Sequence, residues 1–341
     1  MKKYLKIFVV SSLIVLALYE GGIGFLLCNP NVLKHFPQAI LWHVRNIYLG
    51  ADRTILQLLP QAIQYDDELT YVLSPKKFIF SNREFSTVFS VNSKGLRDDE
   101  ASLERPEIIV LGDSVAMGWG VEQEATFAQI IEKATGHKVL NAAIASYATV
   151  RELKMLNRLD TRNLKYLIIQ YAGNDLEENS VFFEKGTLPI KDRVALEKII
   201  EEYSKGLPYY FGKYTFCTLA RWFGFIKQIL SSKDKAQSIN SDAAELFLNA
   251  LLKIPAADFN RVQIIVLAVN DYLQDSRPFI ESLENKKQSL KYPDFIQNLI
   301  TTNLSSGFEA EDGFILDDHP NAKGHAVIAR EILHLIDPKE Y

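Results

Sequence analysis

The stretch IIVLGDSVAMGWGV, from Ile108 to Val121, constrains the fold most. An apolar run stops at Gly112-Asp113-Ser114 and gives way to small residues, the pattern of a buried parallel strand handing over to a helix. Ser114 is then expected at the carboxyl edge of a sheet, where a serine hydroxyl can serve as a nucleophile. Gly, Asp and Ser are also ordinary turn formers, so the tripeptide alone does not separate the two uses. Three later blocks give it company: NAAIASYAT at Asn141 to Thr149, YAGNDLEEN at Tyr171 to Asn179, and ILDDHPNAKGH at Ile315 to His325.

Further apolar runs at Val139 to Leu140, Tyr166 to Tyr171 and Val262 to Val269 alternate with helical segments such as Phe127 to Ala134 and Arg151 to Leu159. The alternation predicts an α/β fold, a parallel sheet flanked by helices on both faces, with functional loops at the carboxyl ends of the strands. No internal repeat or low-complexity tract interrupts it.

A serine hydroxyl is a poor nucleophile at neutral pH and needs an adjacent base, for which imidazole is suited. Of six histidines, His35 and His43 lie in an amphipathic stretch near the N-terminus, His137 precedes a strand, and His334 falls on a terminal helical pattern. His319 follows two carboxylates and precedes Pro320-Asn321, a turn signal that holds it on a loop. His325 opens the last helical segment and is expected to be structural. Both Asp317 and Asp318 are close enough in sequence to orient the His319 ring, and two acidic residues on a surface loop are the plain alternative.

The composition, 48% hydrophobic and 23% charged over 341 residues, suits one large globular domain with appendages. A net charge of −4 leaves no basic footprint for nucleic acid. There are no His/Cys clusters at metal-ligand spacing, and Cys28 and Cys217 sit in unrelated segments, so neither a metal nor a disulfide is expected.

Taken in order, the four blocks resemble the SGNH (GDSL-type) hydrolase superfamily, over about residues 105 to 341. The resemblance implies a three-layer α/β sandwich in which Ser114 is the nucleophile, His319 its base and Asn174 an oxyanion donor through its side-chain amide. Related sequences with an Asp-x-His pattern favour Asp317 as the orienting acid, leaving Asp318 to face solvent or cap the next turn. The Ser114 N–H and the Ser146 N–H would complete the oxyanion hole. Asp113 and Asp175 are expected to organise loops. Two positions depart from the family: Ser146 stands where the second block usually has glycine, and Leu316 stands where the acid usually precedes the histidine by three. The implied activity is that of a serine esterase or O-acyltransferase, without cofactor, on acetyl or other esters of an extracytoplasmic polysaccharide. Lipid or small esters, and a catalytically silent scaffold in polysaccharide export, are the alternatives.

At the N-terminus Lys2, Lys3 and Lys6 precede an apolar segment that reaches Leu27. At ~1.5 Å per residue it spans about 30 Å, enough to cross the hydrocarbon core. The lysines argue for a cytoplasmic N-terminus, and hence for a single-pass anchor in the cytoplasmic membrane with the catalytic domain outside. A cleaved signal peptide is the alternative. The expected organisation is an anchor over 1–27, a helical and β-rich lead-in over 28–104, and a hydrolase domain over 105–341 with an insertion at 177–261. Residues 29–59 show helical spacing, suited first to packing on the enzyme and otherwise to lying on the bilayer. Thr70 to Leu73, Phe78 to Phe80 and Phe85 to Val91 alternate like short antiparallel strands. The aromatic segment Gly206 to Leu230 has apolar residues on all sides, so a buried packing element is the first expectation and a lid or membrane-touching element the second.

Overall fold

The computed structural model describes residues 2–231, 242–255, 257–289, 291–304 and 307–336. Helix α1 (Lys2–Cys28) is followed by α2 (Pro30–Leu33), α3 (Gln38–Ile47) and a π-helical turn at Tyr48–Asp52. Two antiparallel hairpins come next, β1 (Ile63–Asp66) with β2 (Thr70–Leu73), and β3 (Lys77–Ser81) with β4 (Ser86–Ser90). The rest runs β5 (Ile108–Leu111), α4 (Ser114–Met117), α5 (Phe127–Thr135), β6 (Val139–Asn141), α6 (Thr149–Leu156), β7 (Tyr166–Tyr171) and α7 (Asp175–Lys185). Helices α8 (Arg193–Gly206), α9 (Lys213–Ser231) and α10 (Ala243–Lys253) precede β8 (Gln263–Ala268), α11 (Arg277–Lys287), α12 (Asp294–Gln297), β9 (Ile300–Asn303) and α13 (Ala322–Ile336).

Strands β5 to β9 form a parallel sheet in the order β6-β5-β7-β8-β9, with Ile108 opposite both Val139 and Tyr166. Every residue of β5 and β6 is buried, as parallel strands covered by helices must be. On the flanks α13 packs against α5, while α10 packs against α6, α7 and α11. The sheet expected from the alternating runs is present. Its outer strand β9 carries no clear apolar signal, because ITTN is an edge strand whose residues stay partly accessible.

The lead-in forms the expected hairpins and fastens onto the nucleophile loop. Arg97 is buried, lies over the Phe89 ring, and donates to the carbonyls of Met117, Gly118 and Val121. A second apolar cluster joins Ile23 and Leu27 of α1, Leu33, Val44, Ile47, Tyr48, Tyr214 and Leu316. The helical stretch after α1 therefore packs on the rest of the chain, the first of the two roles its spacing suggests.

Helix α1 is long and apolar enough to cross a membrane, and most of its length is exposed. The aromatic segment after Gly206 departs from the first expectation. Tyr209, Tyr210, Phe211, Phe216, Trp222 and Phe223 are all more than half exposed, because α9 packs one face against α1, α3 and the π-turn and turns these aromatics outward. Part of the expected insertion, 232–241 and residue 256, lies outside the described residues.

Gly118 caps α4 in the left-handed region at φ +88, and a Cβ there would lie 2.4 Å from Thr126 Cγ2 and 2.9 Å from Arg97 Nη1. Left-handed strain and overpacking are each worth about 1–3 kcal/mol. Gly118→Ala is expected to lower unfolding free energy by about 2–5 kcal/mol in urea titration. A loss under about 0.5 kcal/mol would show that the loop is not rigidly seated.

Candidate active site

Strand β5 ends in Gly112, and Asp113 then caps α4 by accepting a hydrogen bond from Val115 N at 2.9 Å. This places Ser114 at the first position of a one-turn helix at the carboxyl edge of the sheet. The loop after β6 stays attached to the same edge, with Ala142 N on Val110 O and Ile144 N on Gly112 O. The loop after β7 is tied to it through Asp175, whose carboxylate accepts from Thr149 N at 3.1 Å and Thr149 Oγ1 at 2.6 Å. Asp113 and Asp175 thus organise loops, as expected. Asp175 and its neighbour Glu152 are fully buried, and burial, with repulsion from nearby carboxylates including Asp113 and Glu178, drives both pKa values upward.

The final loop, between β9 and α13, brings His319 to Ser114. His319 Nε2 lies 2.7 Å from Ser114 Oγ, and His319 Nδ1 lies 2.6 Å from Asp317 Oδ1. Ser114, His319 and Asp317 therefore meet as the sequence suggested. The other Asp317 oxygen accepts from Tyr48 Oη at 2.6 Å and Trp119 Nε1 at 3.3 Å, so both oxygens of this buried carboxylate are occupied. Trp119 also stacks on the His319 ring, 4.8 Å between centres and 13° between planes.

Asp318 does not face solvent. It is buried, with Oδ1 2.7 Å from Arg53 Nη1 and 2.8 Å from His319 Nδ1. The chain turns inward here because Tyr272 N takes the Asp318 carbonyl and Arg53 reaches in from the lead-in. Leu316, the second departure, is fully buried in the cluster formed with α1 and α3, where a carboxylate would have no partner. Glu84 grips the same loop, accepting from the amides of Ile315, Leu316 and Asp317 at 2.7, 2.8 and 3.0 Å. Burial raises the Glu84 pKa against the lowering effect of these three bonds.

Ser146 sits at φ +59, a conformation more easily held by the glycine usual at that place. Its loop is braced by the lead-in: Gln57 Nε2 donates to Ser146 Oγ at 2.6 Å, and Tyr71 Oη donates to Ala145 O at 2.6 Å. Asn174 stands at the N-cap of α7 with its side chain exposed and making no bond to that helix. His325 is structural, as expected. It is fully buried, accepts from Phe127 N through Nδ1 at 3.2 Å, and burial pushes its pKa down to about 3.

Tyr48, Arg53, Gln57, Glu84 and Trp119 were not among the residues picked from sequence. Trp119 had a signal, a large aromatic within the small-residue loop of the nucleophile block. The other four lie 30 to 66 residues N-terminal to Ser114 in segments with no motif. Among the described residues, Asp317, Asp318 and His319 place donor atoms within 4.8 Å of one another, close enough for a metal ion. Those donors are already engaged, His319 with Ser114 and Asp317, and Asp318 with Arg53.

The arrangement is that of an activated serine: a hydroxyl on a base that is oriented by a buried acid. A family model described as GDSL-like lipase/acylhydrolase matches residues 108–332. The chain belongs to this family. It is accordingly a serine hydrolase of the SGNH type, with esterase chemistry. No curated protein matches the sequence. Among solved structures it is similar to a member of the lipolytic G-D-S-L family from Veillonella parvula, at 11% identity and TM-score 0.35, covering 67% of this chain and 96% of that one. It is also similar to a family two carbohydrate esterase from Cellvibrio japonicus, at 14% and 0.35, covering 68% and 61%. A third is an acetyl xylan esterase from Butyrivibrio proteoclasticus, at 11% and 0.35, covering 68% and 63%.

Burial alone would lower the His319 pKa, but the hydrogen bond and charge of Asp317, reinforced by Asp318, raise it above the ordinary imidazole value. A base must be neutral to accept the serine proton, so activity is lost as pH falls through this raised pKa. The acidic limb of kcat/KM is therefore expected above about pH 6.5, and Asp318→Asn should move it lower by removing one of the two carboxylates. A limb at or below 6.5, or one that Asp318→Asn leaves in place, contradicts this account.

Proposed function

We propose that the protein is a serine esterase or O-acyltransferase acting on short acyl groups, probed first as acetyl esters, of an extracytoplasmic polysaccharide. The observation that carries the mechanism is the continuous chain Ser114 Oγ to His319 Nε2 and His319 Nδ1 to Asp317 at hydrogen-bond distances. Ser114 attacks the ester carbonyl as its proton passes to His319, and Asp317 stabilises the imidazolium that forms. The N–H groups of Ser114 and Ser146 and the Asn174 amide receive the oxyanion. His319 returns the proton to the leaving alkoxide, and the acyl-enzyme is then resolved by water or by a sugar hydroxyl. A cleft of about 280 Å³, lined by Gln38, Leu41, Arg45, Tyr272, Glu309 and Phe314, reaches Asp317 and His319 from the side of the final loop. That volume lies below the usual 300–1,000 Å³ of larger ligand sites.

The test is a fluorophosphonate probe on the full chain, with the labelled residue mapped by mass spectrometry. Ser114 should carry the label, and Ser114→Ala should abolish it with the circular dichroism spectrum unchanged. Against acetyl esters, Asp317→Asn is expected to lower kcat by about 10⁴ and Asn174→Ala by about 10² to 10³. Ser146→Gly, which keeps the backbone donor, should stay within several-fold. Labelling at another serine overturns the assignment of the nucleophile. Equal losses for Ser146→Gly and Asn174→Ala overturn that of the oxyanion hole.

We place the catalytic domain outside the cytoplasm, with α1 as the anchor, because Lys2, Lys3 and Lys6 precede the apolar run. Alkaline phosphatase fused after Tyr341 is expected to be active in cells. An inactive phosphatase, with a cytoplasmic reporter active at the same position, reverses the topology.

A further inference from the structure

Helix α9 is fastened to α1 at a level where the anchor should still be within the membrane boundary. Glu20, buried on α1, accepts from Thr215 N and Thr215 Oγ1, both at 2.7 Å, and from Tyr209 Oη at 3.1 Å. One helix carboxylate thus satisfies the first turn of another. One residue earlier, Tyr19 Oη lies 2.6 Å from Thr218 Oγ1, and Tyr214 packs on Gly24. Counted from Ile7 at ~1.5 Å per residue, about 30 Å of hydrocarbon ends near Leu27. Residues 19 to 24 then fall inside the outer edge of that layer, and so does the start of α9. The carboxylate of the buried Glu20 is satisfied there without solvent, its hydrogen bonds among the described residues coming from α9 and the loop before it.

The face of α9 turned away from α1 is exposed among the described residues. Phe216, Leu219 and Phe223 recur at i, i+3 and i+7 and are exposed by 66%, 47% and 61%; Trp222, beside them, is exposed by 56%. Tyr209, Tyr210 and Phe211 extend the same apolar surface before the helix. From Lys213 to Gly224 the only charged residues are Lys213, whose ammonium is held by the carbonyls of Gly206 and Leu207, and Arg221, which reaches Asn46 on α3. The surface is continuous with the anchor: Thr215 borders an apolar groove that runs along α1 past Tyr19, Leu16, Val15 and Phe8. A Trp- and Tyr-bearing apolar face next to a membrane span is the signature of an element at the headgroup and acyl boundary.

We propose that α9 and the preceding loop 209–211 are a second membrane-contact element, immersed in the outer interface of the bilayer that α1 enters. The hydrolase is thereby held on the lipid surface by two helices. The proposal rests on α1 remaining as an anchor, and the experiment separates the two. Full-length protein is reconstituted in phosphatidylethanolamine and phosphatidylglycerol vesicles and floated on a density gradient. Tryptophan emission is then compared with that of Trp222→Phe in vesicles whose acyl chains carry bromine at carbons 6 and 7 or at carbons 11 and 12. Wild type should float and lose more emission to bromine than Trp222→Phe, most strongly with the shallower label. Flotation without any difference between wild type and variant overturns the α9 proposal while leaving the anchor in place. Failure to float overturns the anchor, and the α9 proposal with it. A Trp222 signal shielded from iodide but insensitive to bromine, with cross-linked dimers, means that a second copy covers the face and likewise overturns the proposal.

Discussion

A carboxylate removed from water must be compensated at every lone pair it presents, and the arrangement around Asp317 follows from that requirement. One oxygen meets His319, and the other meets Tyr48 and Trp119. These partners come from a π-helical turn ahead of the domain, from the nucleophile loop and from the final loop. None can shift without leaving the acid partly unpaired, so the burial of Asp317 locks three remote segments into one geometry. Glu84 and Arg53 add a second tier, one gripping the loop's amides and the other balancing Asp318.

The lead-in is therefore part of the catalytic apparatus as well as packing. Hairpin residue Tyr71 and the nearby Gln57 brace the loop of Ser146, and Arg97 ties down the carbonyls that follow Met117. A glycine at 146 would hold its left-handed backbone without help. Here the neighbouring segments hold a residue with a Cβ in that conformation, and the surplus contacts offset the local strain.

Much of this was legible in the sequence, and the reasons differ by region. Strand β5 could be read to the residue because a fully covered parallel strand is apolar throughout, and β7 departs from that only at Gln170, whose buried amide oxygen accepts from Asp113 N and Ala116 N. The meeting of Ser114, Asp317 and His319 was legible because the three lie within ordered blocks. Asp318 was misjudged because its burial depends on Arg53, more than 260 residues away, which no local pattern announces. Tyr48 and Glu84 were invisible for the same reason: their roles arise from tertiary contact alone. The α9 segment misled because apolar content all round a helix suggests a protein core, whereas Phe216, Trp222 and Phe223 of this helix face outward.

Leu316 has a bearing on how such an enzyme could change over generations. Its side chain sits among Ile23 and Leu27 of α1, one residue before Asp317. A membrane tether joined to its domain by a flexible linker can be exchanged for any other apolar segment, since only its hydrophobicity matters. In the role we propose for it, α1 would also contribute shape to the wall behind Asp317 and His319. Its residues from Ile23 to Leu27 would then be subject to two kinds of selection at once, for partition into lipid and for fit against the final loop, and an anchor borrowed from another protein would satisfy only the first.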